Sequence, residues 1–253
     1  MANINATKRR EKKKNATSSE TSKIEAEMAA NFSYAFKIKK SFHLNDNHRN
    51  FYNCIKEDDS SIIFVDGPAG SAKTYLAVLA ALELFKEKKC KQIIYIRSII
   101  ESASRSLGSL PGEVDDKFSQ FTQPLLDKIS EITDPTVAAN LKAGNIISAI
   151  PVNFCRGMTF NDAVVIVDEF QNMNFSESKT VLSRIGKNTR YIVCGDSHQM
   201  DIKDSCIIPL LNAFDTDKSQ ENNIYVHRFG KSDIVRSKML RYIMEVIETI
   251  PKK

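Results

Sequence analysis

The sequence predicts an α/β fold built on a mostly parallel sheet flanked by helices. Three observations predict it. Short β-branched runs at 62–65, 93–96, 146–150, 164–167 and 191–194 alternate with helical patterns, as strands buried on both faces and joined by crossover helices do. The first run leads directly into a loop containing Gly67 and Gly70 and then into a helix. The fourth ends abruptly in two acids, Asp168 and Glu169. A chain of 253 residues, 42% hydrophobic and 26% charged, is long and apolar enough to bury one good core.

Residues 1–34 read as a basic tail. Lys8, Arg9, Arg10, Lys12, Lys13 and Lys14 stand beside a Ser/Thr/Asn-rich stretch that cannot bury enough apolar surface to offset its ordering entropy. Such an arm attracts phosphate backbones through counterion release, or merely solubilises the chain. The folded domain is expected over 35–253, entered by a segment with Phe51, Tyr52 and Ile55 at helical spacing. No apolar run reaches the roughly 18 to 20 residues that cross a membrane. The N-terminus also lacks the apolar core of a secretory signal, so a cytoplasmic protein without a membrane partner is expected. Cys54, Cys90, Cys155, Cys194 and Cys206 are odd in number and form no C-x-x-C pair, which suits free thiols in a reducing compartment. The histidines lack metal-ligand spacing.

The strand at 62–65 is followed by Gly67-Pro68-Ala69-Gly70-Ser71-Ala72-Lys73-Thr74, and a helix over 73–88 begins inside that run. Dense negative charge on phosphate calls for close approach by several backbone N–H groups. Gly67 and Gly70 permit the approach, and the helix N-terminus adds a favourable dipole. Lys73 is expected to reach the β- and γ-phosphates, Thr74 to ligate magnesium, and Tyr75 to lie beside the nucleotide. The bland alternative is a chance glycine turn before a helix. Ala72 stands where glycine is usual; if that position needs φ > 0, its Cβ costs on the order of 1 kcal/mol.

The strand at 93–96 leads into a long polar connection carrying Leu110-Pro111-Gly112, a helix through 118–132, and the strand at 146–150. Val164-Val165-Ile166-Val167-Asp168-Glu169 then presents two carboxylates at a strand end, where ligands of open α/β sheets bind. If this strand lies beside the phosphate-loop strand, Asp168 faces magnesium through water, and Glu169 orients and deprotonates an attacking water. A solvated strand terminus is the alternative. A helix over 176–185 and the strand at 191–194 come next, ending in Gly195-Asp196-Ser197-His198-Gln199. Gln199 can register the γ-phosphate through its amide, or simply help form a turn. A helix at Ile207–Phe214, a strand at Ile224–Arg228 and a helix over 233–250 complete the expected elements.

With Arg156-Gly157-x-Thr159-x-Asn161-Asp162, Asp168-Glu169-x-Gln171-Asn172, Gly195-Asp196-x-x-Gln199-x-Asp201 and Asp233-Ile234-Val235-Arg236, these motifs together resemble the PhoH family of P-loop ATPases over about 44–248. The resemblance implies a P-loop NTPase with a single RecA-like core, similar to one motor domain of superfamily 1 helicases. It implies ATP and Mg2+ as ligands, hydrolysis linked to RNA or other single-stranded nucleic acid, and a homo-oligomeric ring such as a hexamer. In such rings a neighbour's arginine completes the site. Arg236 is the candidate here, with an exposed helix-start arginine as its alternative, and Arg156 is a second candidate for nucleotide or RNA contact. His48 stands near the position where family members carry a glutamine that could read adenine. Ser98 follows Arg97 where the family often has proline. Short phage-encoded members exist, and no intrinsic nuclease activity is expected. Two other functions compete: a nucleotide-gated binding module with little motor activity, and a small-molecule kinase, which Glu169 at a water-activating position disfavours.

Overall fold

The computed structural model describes residues 36–39, 43–57, 61–98 and 114–235, with helical positions at 239, 242, 243, 246 and 249. The basic tail, the Leu110-Pro111-Gly112 element and Arg236 lie outside the described residues.

Six strands form one parallel sheet: β1 (Ser61–Asp66), β2 (Gln92–Arg97), β3 (Ile147–Pro151), β4 (Ala163–Asp168), β5 (Thr189–Gly195) and β6 (Ile224–Arg228), in the order β3-β2-β4-β5-β1-β6. The four inner strands are the apolar runs of the sequence, buried because helices cover both faces. Side chains alternate between two cores. Ile63, Val65, Tyr95, Val164, Ile166 and Ile192 point into one, while Phe64, Ile94, Ile96, Val165, Val167 and Val193 point into the other.

The first core is closed by α1 (Asp46–Glu57), α2 (Lys73–Lys86), α3 (Val114–Ile132) and α4 (Pro135–Ala143). Helix α2 is buried almost all round, so it lies sandwiched between the sheet and its neighbouring helices. Helix α4, absent from the sequence expectation, starts at an Asp134 cap that accepts the Thr136 N–H, with Pro135 at the first helical position. The second core is closed by α5 (Phe175–Leu182) and α6 (Ile207–Phe214). A capping box fixes the start of α5: Asn174 accepts the Glu177 N–H at 3.0 Å and Glu177 accepts the Asn174 N–H at 3.1 Å. A short helix α7 (Asp217–Gln220), also unexpected, precedes β6. Residues 231–233 form a 3-10 turn where the terminal helix was expected to begin.

One topological condition is not met. Strand β4 does not lie beside β1, because β5 is inserted between them. The chain leaves β1 toward β2 across one face and leaves β5 toward β6 across the other. A switch point therefore falls at the β1/β5 boundary, the kind of place where open α/β sheets hold their ligands. The five cysteines are free, four of them buried, and burial pushes the thiols of Cys90 and Cys155 up to about 12 and about 11. No helix among the described residues is long and apolar enough to cross a membrane.

Candidate nucleotide site

The carboxyl ends of the strands form a line: Arg97 is in register with Pro151 on one side and Asp168 on the other, and Asp66 with Gly195 and Arg228. Above β1, β5 and β4 lies a cleft of about 610 Å³. Ala69, Gly70, Ala72, Lys73, Thr74 and Tyr75 form its loop side, and Asp168, Glu169 and Gln199 line it as well.

The loop takes its shape from two left-handed residues. Gly70 has φ 86, which suits glycine, and Ala72 has φ 62 as the residue capping α2. The departure at Ala72 therefore carries the strain anticipated for it, of about 1 kcal/mol. Replacing Ala72 by glycine relieves that strain but adds freedom to the unfolded chain. The expected result is a gain in stability of at most about 1 kcal/mol, whereas Ala72→Val destabilises. Urea unfolding of the two variants measures both effects.

Lys73 Nζ donates to the carbonyls of Gly67 at 2.5 Å and Pro68 at 3.0 Å, which keeps the ammonium folded over the loop. The Ser71 side chain is buried and donates to the Pro68 carbonyl at 2.8 Å, so its hydroxyl serves the loop itself. Gly67 lies behind the cradle: its N–H reaches the Gly195 carbonyl at 3.2 Å, and its Cα packs against Phe229. Tyr75 is buried, with its hydroxyl donating to the Lys39 carbonyl at 3.4 Å.

Facing the loop, Thr74 Oγ1 donates to Asp168 Oδ1 at 2.9 Å across the width of β5. The Tyr95 hydroxyl donates to the other oxygen, Oδ2, at 2.5 Å. Burial, with the Asp168 carboxylate beside it, pushes the Tyr95 phenol far above its ordinary value, so it remains a donor. Glu169 sits at φ 53, a left-handed turn that ends the strand sharply. Its carboxylate accepts from Gln171 Nε2 at 2.6 Å and lies 3.6 Å from Arg97 Nη2.

The donor set fits a hydrated magnesium ion. Thr74 Oγ1 and Asp168 Oδ1 are adjacent hard oxygens, and no cluster of three His, Cys, Asp or Glu side chains among the described residues could cage a metal. Magnesium typically takes one or two protein oxygens and completes its octahedron from phosphate and water. Such a site needs a bound phosphate to be complete.

The family model described as "PhoH-like protein" matches residues 42–248. The chain belongs to the PhoH-like protein family. It is 32% identical over 188 residues to a PhoH-like protein of Mycobacterium tuberculosis, covering 74% of this chain and 53% of that one. It is likewise 32% identical over 200 residues to a PhoH-like protein of Bacillus subtilis (79% and 61%) and over 182 residues to Protein PhoH of Escherichia coli K12 (71% and 51%). The chain spans about half the length of the curated relatives it matches.

One expectation changes in this PhoH-like chain. His48 does not face the cleft as a base reader. It is 1% exposed, its Nε2 contacts the carbonyls of Ser71 at 3.2 Å and Asp233 at 3.1 Å, and its Nδ1 faces the Asn45 N–H at 3.4 Å. Both ring nitrogens are thus engaged, and His48 braces the phosphate loop from behind. Asp233 belongs to the same brace. Burial pushes its carboxyl up, but donors from Gly230, Asn45 and Asn47 outweigh that and hold it below the usual carboxylate value. Next along the chain, the Val235 N–H donates to the Gly70 carbonyl at 3.0 Å. Arg156, expected to contact nucleotide or RNA, does not line the cleft but is exposed on the turn after β3, which leaves the RNA alternative.

Gln199 lines the cleft from an exposed turn whose backbone N–H reaches the Asp196 carbonyl at 3.0 Å. The site residues unread in the sequence are Tyr95 and Arg97 on β2 and Lys128 and Glu131 on α3. Nothing in the pattern of β2 singles out Tyr95, which looks like one more apolar strand residue.

Proposed function

We propose that this PhoH-like chain binds ATP at the cleft and hydrolyses it with magnesium, in the service of single-stranded nucleic acid, RNA above all. The Thr74–Asp168 contact carries the reading, because it joins the helix that follows the phosphate loop to the strand that ends in Glu169. Lys73 exchanges its loop carbonyls for the β- and γ-phosphate oxygens, and the loop N–H groups hold the remaining charge. Thr74 and Asp168 would hold magnesium, which would supply charge neutralisation at the phosphates. Glu169 accepts the proton of the attacking water, and Tyr95 keeps Asp168 aimed at Thr74.

Two exposed phenylalanines favour a nucleic-acid partner. Phe154 is 57% exposed on the turn after β3 and Phe175 56% exposed at the start of α5, which packs on that turn. Arg156, Lys179 and Arg184 stand in the same two segments against one acid, Glu177, which is engaged in the capping box. Aromatic faces among cations stack successive bases while the cations follow the backbone. A ring of copies, with Arg236 reaching a neighbour's phosphates, completes the reading.

The deciding experiment is ATP turnover with single-stranded RNA, with single-stranded DNA and with neither, for the wild type and Lys73→Ala. Magnesium-dependent turnover raised by RNA and abolished in Lys73→Ala is expected. Turnover that survives in Lys73→Ala places the chemistry elsewhere.

A further inference from the structure

Two side chains tether the Glu169 carboxylate, and they differ in kind. Gln171 is 3% exposed, and its amide oxygen takes the Asp196 N–H at 3.0 Å. That contact fixes which way the amide faces, so Nε2 must point at Glu169 Oε2, where it donates at 2.6 Å. This tether is rigid. Arg97 instead approaches Glu169 Oε1 with a single nitrogen at 3.6 Å, and the two side chains are 38% and 40% exposed. An ion pair so long and so wet biases a side chain by no more than about fivefold. The tethers also pull in opposite directions. Strand β2 lies on the side of β4 away from β1, whereas Gln171 anchors to the end of β5, next to β1.

We propose that Arg97 is a positioning residue that restrains Glu169 on the β2 side, and that a phosphodiester of single-stranded nucleic acid releases it by taking the guanidinium. This rests on Glu169 being the base of the proposed hydrolysis. A phosphodiester offers two oxygens to the planar guanidinium, a better match than the single long contact to Glu169. The location fits as well. Arg97 is in register with Pro151, and from Pro151 the chain runs straight into the turn bearing exposed Phe154 and Arg156. The cation that restrains the base is therefore next to the strand edge best suited to nucleic acid. Once it is exchanged, Glu169 keeps only the Gln171 tether, on the phosphate-loop side.

The test measures ATP turnover with and without poly(U) for the wild type, Arg97→Ala, Arg97→Lys and Glu169→Gln. Arg97→Ala should raise basal kcat by up to about fivefold with KM little changed, and bring the poly(U) stimulation ratio close to one. Arg97→Lys, which keeps the charge without the planar fork, should raise basal kcat less than Arg97→Ala does and lose part of the stimulation. A basal rate that falls or stays level in a folded Arg97→Ala overturns the proposal, since a merely structural residue does not speed turnover when removed. If Arg97→Ala does not fold, an unchanged stimulation ratio in Arg97→Lys overturns it. Wild-type turnover that is absent, or that persists in Glu169→Gln, removes the hydrolysis reading and this proposal together, so the two failures are told apart.

Discussion

Glu169→Gln lowers ATP turnover by about 10²- to 10⁴-fold, the usual contribution of a positioned general base, while nucleotide binding stays nearly unchanged. The two readouts separate because Glu169 is not part of the phosphate cradle. In the proposed reading the cradle consists of loop N–H groups and Lys73, and Thr74 and Asp168, which are hydrogen-bonded to each other, supply the metal-side oxygens. The amide is isosteric and still accepts from Gln171 Nε2, so the strand end keeps its shape. Phosphate release and titration with a fluorescent ATP analogue measure the two quantities on one preparation. Equal loss of both would mean that Glu169 holds the loop rather than the water.

Gly67→Ala has the second large effect, on stability and binding together. A Cβ on Gly67 would stand 2.6 Å from Phe229 Cβ and 3.0 Å from the Phe229 carbonyl oxygen, distances at which something must shift. Phe229 is poorly placed to yield. Its N–H donates to the Asp66 carbonyl at 2.8 Å, and its ring meets those of His48 and Phe51 edge-on, with centroids 5.1 and 5.6 Å away. The loop moves instead. Overpacking of this kind costs about 1–3 kcal/mol, and a displaced cradle should weaken ATP about tenfold, or about 1.4 kcal/mol. Urea unfolding and nucleotide titration check both, and an unchanged midpoint with unchanged affinity would contradict the close approach at Gly67.

The lining of this cleft was legible where it is local. The phosphate loop and the Asp168-Glu169 pair are runs of adjacent residues at the ends of apolar strands, and a strand end is visible in a linear sequence. The strand order was not legible. Ala163–Asp168 and Thr189–Gly195 are equally apolar, and only packing decides which lies beside β1. Tyr95 and Arg97 escaped notice for the same reason, since their partners are supplied by the neighbouring strand. His48 shows the limit of resemblance. Its partners, Ser71 and Asp233, lie 23 and 185 positions along the chain, so its bracing role depends on the fold being complete. Helix α4 is a different case, because Asp134-Pro135 is a helix-start signal that sequence reasoning can use.

The brace behind the phosphate loop has a consequence for biosynthesis. Phe229, Asp233 and Val235 come from a segment translated long after Gly67–Thr74, yet they support Gly67, His48 and Gly70. A nascent chain that already holds the whole loop motif therefore still lacks its rear wall until β6 and the 229–235 segment leave the ribosome. On the proposed function, nucleotide capture then becomes a late event in maturation, one that reports that β6 has joined the sheet.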